Sequence, residues 1–146
     1  MNIQIKKASL SDASFFYELR NEKTARKNFF NTKNIKYSDH LKWYKKKLKK
    51  KNIIFLIALS GNSKKIGIVR YDVGVIFANI SINISKDFRS LGYGSRILKK
   101  SEKFLKRKLI IISRIKKDNK ASIKIFKNNN YKVIKNSKDL ILTKII

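Results

Sequence analysis

"RSLGYGSRIL", residues 89–98, is the most informative stretch of this sequence. The 146 residues include only five glycines, and two of them, Gly92 and Gly94, lie here. An apolar run with strand-like alternation precedes the stretch, and a run with helical spacing follows it. The pattern predicts a glycine-rich joint at which a strand ends and a helix begins.

A helix that begins directly after a strand leaves its first backbone N–H groups free, and such groups bind anions, especially phosphates. Glycine lets the backbone approach such a ligand because no Cβ stands in the way, and Arg89 adds a positive charge. Two interpretations stay open: a pyrophosphate cradle, or a tight turn whose glycines allow close packing. The sequence has no G-x-x-x-x-G-K-S/T and no N-terminal G-x-G-x-x-G, which argues against P-loop NTPases and dinucleotide-binding Rossmann units.

Hydrophobic periodicity and turn residues predict elements in the order β-α-α-β-β-β-α-β-α-β-β. The strands are expected at 3–8, 52–59, 66–72, 73–85, 109–115, 131–134 and 139–145, and the helices at 9–21, 38–50, 92–107 and 119–130. Ser9 or Ser11 would cap the first helix and Ser38 the second, with an irregular polar segment, 22–37, between them. The order predicts one α+β domain over 1–146, an α/β sandwich with a mixed sheet and helices on both faces.

The formal net charge is +28, from 37 basic and nine acidic residues. Thirty of the basic residues are Lys and seven are Arg, and the lysines are spread along the whole chain. A nucleic-acid reader would more often cluster its charge and use Arg for bidentate contacts. Two interpretations stay open: a lysine-coated surface that binds polyanions without specificity at low salt, or a dedicated nucleic-acid site.

The sequence contains no cysteine, which excludes disulfides, thiolate metal sites and a Cys nucleophile. No apolar run approaches the roughly 20 residues that a membrane-spanning helix needs. The N-terminal "MNIQIKKASL" lacks the apolar stretch of a signal peptide. We therefore expect a cytoplasmic protein that does not act in a membrane.

The segment "RSLGYG" resembles the R/Q-x-x-G-x-G/A motif of the GCN5-related N-acetyltransferases, the GNAT family. "ISINISKDFRSLGYGSRIL" resembles that family's fourth strand, turn and following helix, and "NKASIKIFKNNNYKV" resembles its next helix. "IKKASLSDASFFYELRN" resembles the opening strand and helix. The resemblance covers essentially the whole chain and implies a GNAT-like, mostly antiparallel sheet with helices on both faces.

In this family the motif cradles the pyrophosphate of acetyl-CoA, the co-substrate, and no metal takes part. The resemblance implies that residues 82–84 lie on a strand that separates from the strand 109–115, leaving a gap for the pantetheine arm. A strand-edge amide in that gap would stabilise the oxyanion as it forms. The residues expected to contact acetyl-CoA are Ile82, Ile84, Arg89, Ser90, Leu91, Gly92, Tyr93, Gly94, Ser95, Asn119 and Phe126.

A second resemblance lies in "LRNEKTARKNFFNTKNIKYSDHLKWYKKKL" (19–48) and "IGIVRYD" (66–72). These segments resemble acetyltransferases of pseudaminic-acid-type pathways, which act on amino groups of nucleotide-linked sugars. An Arg-Asn pair ends the first helix in that group and a His opens the second, as Arg20, Asn21 and His40 do here. The resemblance implies four substrate-binding residues, for which ordinary surface arginines and a core tryptophan are the alternatives: Arg20, Asn21, Trp43 and Arg70.

Two positions depart from the family pattern. Asn79 stands where many relatives carry a glutamate base, and Phe126 stands where many carry a tyrosine that protonates the leaving thiolate. A thiol pKa near ~8.5 allows the thiolate to leave without full protonation. His40, the only histidine, is then the base candidate and Asp72 the weaker one. The alternative for His40 is a surface histidine at a helix start.

The leading function is therefore an acetyl-CoA-dependent N-acetyltransferase acting on a small-molecule amine, the amino group of a nucleotide sugar. One alternative keeps the fold and acetylates protein N-termini, as ribosomal-protein acetyltransferases do. A non-enzymatic alternative is a basic module that binds RNA or another polyanion, but clustered arginines and an aromatic platform are missing from the sequence. We expect a monomer or a homodimer.

Overall fold

The strands and helices follow the predicted order, with one short helix added. The structure, a computed structural model, describes residues 2–146. Its main elements are β1 (Ile3–Lys7), α1 (Ala13–Asn21), α2 (Lys23–Arg26), α3 (Tyr37–Leu48), β2 (Ile53–Ser60), β3 (Lys65–Val73), β4 (Phe77–Ile84), α4 (Tyr93–Ser101), β5 (Ile110–Lys116), α5 (Lys120–Lys127), β6 (Lys132–Asn136) and β7 (Asp139–Ile145). Short 3-10 turns occupy Leu10–Asp12, Lys86–Phe88 and Glu102–Phe104.

The strands form one seven-stranded sheet in the order β1-β2-β3-β4-β5-β7-β6. Every neighbouring pair is antiparallel except β4 and β5, which run parallel. That parallel pairing joins residues 77–79 to residues 110–112 and then stops. Beyond it, the last five residues of β4 have no partner on β5, so the predicted separation of these two strands is confirmed.

Apolar side chains from alternate strand positions pack under helices on both faces of the sheet. Leu56 of β2 belongs to the larger core with Ile97 and Leu98 of α4. Its neighbour Phe55 points to the opposite face and packs in a smaller core with Phe16 of α1. Burying each of these side chains contributes about 1.5–3 kcal/mol. The predicted α+β architecture, a mixed sheet between helices, is confirmed.

Three local predictions were wrong. The run 73–85 is not one strand, because β3 continues to Val73 and a tight turn at Gly74 leads into β4. Ser38 does not cap the second long helix, because that helix already begins at Tyr37. The segment 22–37 is not wholly irregular, because α2 forms within it under a cap supplied by Glu22.

The helix that follows the glycine stretch is shorter than predicted. It ends at Ser101 and continues as a 3-10 turn to Phe104, where the periodicity had favoured a helix to residue 107. Ser101 is buried, and its hydroxyl donates to the Leu98 carbonyl and pairs with the Tyr71 hydroxyl at 2.7 Å. A polar group that bonds to the preceding turn in this way weakens the continuation of the helix.

Gly67 of β3 permits a close approach to the last residues of β4, within the part of β4 that has no partner on β5. A Cβ at Gly67 would lie 2.6 Å from the Asn83 carbonyl oxygen and 2.9 Å from Ile84 Cδ1. We predict that Gly67→Ala lowers the free energy of unfolding by about 1–3 kcal/mol, since backbone atoms cannot move aside. Urea unfolding measures it, with Gly61→Ala in an exposed turn as control, expected within about 0.5 kcal/mol of the parent. Equal losses in the two variants would contradict this role.

Candidate active site

The separation of β4 from β5 opens a cleft with a cavity of about 530 Å³. Residues 80–84 of β4 and 113–115 of β5 form its two strand walls. The start of α4 and the inner side of α5 close it on one face of the sheet. On the other face lie Ala25 of α2 and residues 28–30 of the segment after it.

Nine of the residues expected to contact acetyl-CoA line this cleft: Ile82, Ile84, Arg89, Ser90, Gly92, Gly94, Ser95, Asn119 and Phe126. Two others point elsewhere. The side chain of Leu91 is exposed, and the Tyr93 ring packs edge-on against Phe88 at a centroid distance of 5.5 Å. The structure thus brings most of the residues that are expected to contact acetyl-CoA together around one opening.

The two glycines of residues 89–98 have different structural roles. Gly92 is the N-cap of α4 with φ +80°, a conformation that favours glycine, and among the described atoms none lies within 4 Å of a Cβ built there. Gly94 lies in the first turn of α4, where a Cβ would collide with the Ile125 side chain of α5. Gly94 therefore permits close helix packing, whereas Gly92 shapes the loop and leaves open space above it.

The Arg89 guanidinium has two partners, a backbone carbonyl of β4 and the carboxylate of Glu22. Its Nε donates to the Ile84 carbonyl at 2.9 Å, and its guanidinium forms an ion pair with Glu22 at 2.8 Å. Burial raises the pKa of Glu22, but the hydrogen bonds from Arg89 and from the first amides of α2 outweigh it, and the pKa falls to about 2. The charge of Arg89 is thus compensated by Glu22 at neutral pH.

Arg20 and Asn21, expected to bind substrate, hold the chain segment 27–36, which we call the strap. The Arg20 guanidinium donates to the Asn31 carbonyl at 2.7 Å and lies 4.7 Å from the Phe29 ring. The Asn21 amide donates to the Ile35 carbonyl at 2.8 Å and accepts from the Ile35 N–H at 2.9 Å. This Arg-Asn pair at the end of α1 therefore fixes the far half of the strap.

The near half of the strap reaches β5. The Lys116 ammonium donates to the Lys27 carbonyl at 2.9 Å, and the Arg114 guanidinium lies 3.9 Å from the centre of the Phe30 ring. The strap therefore crosses from β5 to α1 and forms the wall of the cleft opposite α4 and α5. The charge of Arg114 is balanced by an ion pair with Asp139 at 2.7 Å.

His40 is not a surface residue, so that alternative is wrong. It is 4% exposed and surrounded by the rings of Tyr17, Trp43 and Tyr44 at centroid distances of 5.5, 5.5 and 6.1 Å. Burial, and then the nearby charge of Arg20, lower its pKa below the ordinary value. Its Nδ1 is buried without a hydrogen-bond partner among the described residues. His40 does not line the cleft.

Asp72, Arg70 and Trp43 form a second contact group outside the lining of the cleft. Arg70 donates to the Asp72 carboxylate through Nε at 3.2 Å and through its terminal nitrogen at 2.7 Å. The same guanidinium lies 5.2 Å from the Trp43 ring, which is half-buried edge-on against Phe55. Asn79, opposite Asp72 in the sheet register, is exposed.

Two buried polar residues, Ser113 in the lining of the cleft and Asn129 beside it, were missed by the sequence reasoning. Ser113, 3% exposed, is the one polar side chain on the buried face of β5. Asn129 is also buried, and its amide donates to the Ser95 hydroxyl at 2.8 Å and to the Ile125 carbonyl at 2.8 Å, which fastens α4 to α5. The only signal for Ser113 was a small polar residue next to Arg114 within the otherwise apolar "LIIISRI", and Asn129 lay in a run of three asparagines.

Within residues 2–146, His, Asp and Glu side chains nowhere gather in the groups of three that hold a metal ion. The described part of the chain also has no helix of the length and apolarity that a membrane crossing requires.

The sheet is divided between two parallel strands, and a glycine loop and the start of a helix lie at the division. A family model described as an acetyltransferase (GNAT) domain matches residues 2–132. The chain belongs to this GNAT acetyltransferase family. A search of curated proteins found no significant match.

Solved structures share the fold over nearly the whole chain. A domain from Methanocaldococcus jannaschii DSM 2661 superposes with a TM-score of 0.84 at 22% identity, covering 99% of both chains. The spermidine N-acetyltransferase from Vibrio cholerae, in complex with CoA and spermine, gives 0.84 at 12% identity over 99% of this chain and 94% of that one. A GNAT-family acetyltransferase from Streptococcus pneumoniae gives 0.75 at 18% identity over 99% and 100%.

Identities this low establish the fold, and the family match adds the reaction. The chain is an acetyl-CoA-dependent N-acetyltransferase, with acetyl-CoA as its co-substrate. The non-enzymatic alternative, a basic polyanion-binding module, does not describe it.

The burial of His40 makes the stability of the fold depend on pH. Because the folded state lowers its pKa below the ordinary 6.5, the stabilisation is complete above about pH 6.5 and is lost as the pH falls through the folded value. We predict that the free energy of unfolding falls between pH 7 and 5 in the parent and falls less in His40→Phe. This variant keeps an aromatic ring among Tyr17, Trp43 and Tyr44. Urea unfolding at each pH measures both. Parallel pH profiles would show that another group controls this range.

Proposed function

We propose that the enzyme acetylates the amino group of an anionic small molecule, a nucleotide-linked amino sugar. The observation that carries the proposal is the charge of the cleft. Its charged lining residues are Arg89, Arg114 and Lys124, and within residues 2–146 no Asp or Glu lines it. Glu22 and Asp139 pair with the two arginines from outside the lining, so the net charge of the cleft is that of Lys124. Such a lining attracts an acceptor that carries a diphosphate. It disfavours a polycationic acceptor, because like charges repel.

The donor half of the site supports the same reaction. The first backbone N–H groups of α4 are free of side-chain caps within the described residues and lie beside Gly92, which leaves room for a diphosphate. Residues 80–84 of β4 offer an unpaired edge at which the pantetheine arm would take the place of a strand. An N–H on this edge would donate to the thioester oxygen as negative charge develops there.

The transfer joins the amine nitrogen to the thioester carbon and breaks the carbon–sulfur bond. One proton leaves the nitrogen, and CoA departs as thiolate or thiol. Phe126, buried at the inner wall against Tyr131 at 4.9 Å, offers no proton to the sulfur. The thiolate can leave unprotonated because its thiol has a pKa near ~8.5.

The co-substrate is made and used inside cells, which supports a cytoplasmic location.

The base roles of His40 and, more weakly, Asp72 stay predictions. Both side chains lie outside the lining of the cleft, so the structure gives His40 a packing position and Asp72 an ion-pair partner, Arg70. The His40→Phe protein separates the two possibilities for histidine. If His40 only packs in the core, turnover should stay within about tenfold of the parent. A loss of ~10²-fold together with loss of the acid limb of the rate profile would establish His40 as the base.

The glycine loop gives the sharpest test of donor binding. We predict that Gly92→Ala raises the dissociation constant of CoA at least tenfold, about 1.4 kcal/mol, because the loop must hold a left-handed residue below the diphosphate. Titration calorimetry measures the affinity, and circular dichroism confirms the fold. Gly61→Ala, in a turn outside the cleft, should bind CoA as the parent does. Unchanged affinity in folded Gly92→Ala would rule out the loop as the diphosphate site.

The acceptor class is tested by rate. Thiol release from acetyl-CoA is followed with three amines: a UDP-linked amino sugar, spermidine and a short peptide with a free N-terminus. We predict a kcat/KM at least ~10²-fold higher for the nucleotide sugar than for spermidine, and a decrease with added salt as the attraction is screened. A preference for spermidine would contradict the proposal. A preference for the peptide would favour the protein N-terminal alternative.

A further inference from the structure

The carboxylate of Glu22 connects the two sides of the cleft. On the strap side it caps α2, accepting the N–H groups of Thr24 at 3.1 Å and Ala25 at 2.8 Å. On the donor side it holds the Arg89 guanidinium at 2.8 Å. Both side chains of this pair are largely shielded from water, at 23% and 30% exposure, so salt screens it less than a fully exposed pair.

Arg89 carries the connection to the glycine loop. Its Nε donates to the Ile84 carbonyl, at the last residue of β4, and its backbone begins the loop that leads to Gly92. Because the guanidinium is planar, these two contacts fix its orientation and with it the start of the loop. The strap and the loop are thereby joined through two side chains.

The strap depends on such a connection. The helix at its head, α2, has only four residues, and a helix of this length is not stable by itself. The near half of the strap is held by Lys116, and its middle by Arg20, through exposed hydrogen bonds to its carbonyls, which are worth little individually. Only its far end, at Ile35, is held by two partly buried hydrogen bonds, both with Asn21. Removing the cap or its ion-pair partner should therefore loosen the wall that faces the acceptor.

We propose that Glu22 is a positioning residue through which binding of CoA at the loop 89–95 orders the strap. The inference rests on the proposed diphosphate loop and is independent of the acceptor. When a ligand favours the loop geometry that Arg89 supports, the Glu22 carboxylate is held in the position that caps α2. By linkage, an ordered strap strengthens CoA binding by the same factor. The donor thus completes the wall of the acceptor site.

The test is hydrogen–deuterium exchange of the full chain with and without CoA. In the parent, CoA should slow exchange in peptides covering the loop 90–97 and in those covering α2 and the strap, 23–36. In Glu22→Gln the loop should still respond, whereas the slowing over 23–36 should fall at least fivefold. Glu102→Gln, which removes a comparable carboxylate from an ion pair with Lys144 outside the cleft lining, should behave as the parent does.

A second variant separates the connection from the cap. Arg89→Met removes the ion pair and leaves the Glu22 carboxylate free to cap α2, so it should lose the strap response too. The double variant should lose no more than either single one, since both act through one contact. A strap response that persists in Glu22→Gln or Arg89→Met overturns the proposal. The absence of any loop response in the parent overturns the diphosphate loop itself.

Discussion

The structure depends on how little of β4 and β5 is paired. Three residue pairs join these parallel strands at residues 77–79 and 110–112, and then the strands separate. The pairing keeps the sheet continuous, and the separation leaves backbone N–H and C=O groups of β4 facing a cavity. In a sheet interior such unpaired groups are costly unless a ligand, a side chain or water pairs with them. The cleft is thus a site whose backbone favours an extended ligand.

The elements around the cleft are arranged to keep this opening in shape. Gly67 brings β3 close to β4 on one side, and Gly94 brings α4 close to α5 below it. Asn129 ties α5 back to Ser95 at the start of α4. Across the sheet, the strap is held from α1 and β5. The walls therefore belong to elements whose own packing is determined elsewhere in the core, which is how a fold holds a site rigid.

The structural features that could be predicted are those whose pattern lies in residues close together in the sequence. The order of elements and the glycine loop follow from alternation and from the positions of Gly92 and Gly94. The strand that separates was implied by the resemblance to the GNAT family. The turn at Gly74 was missed because it lies in "VGVIFA", residues 73–78, a run that contains no polar residue. The burial of His40 and the attachment of the strap by Arg20 could not be predicted, because contacts distant in the sequence decide them. Polar residues with helical spacing look alike whether they bind a ligand or a backbone carbonyl.

The charge distribution connects the fold to the chemistry. Five ion pairs among the described residues use five of the nine carboxylates of the chain. Two of them, Glu22 with Arg89 and Asp139 with Arg114, neutralise arginines that line the cleft. Lys124 in the lining and the formal net charge of +28 of the chain keep the potential positive. A positive potential lowers the pKa of an ammonium group that enters it. The same field that favours an anionic acceptor therefore also favours the neutral amine, the form that attacks a thioester.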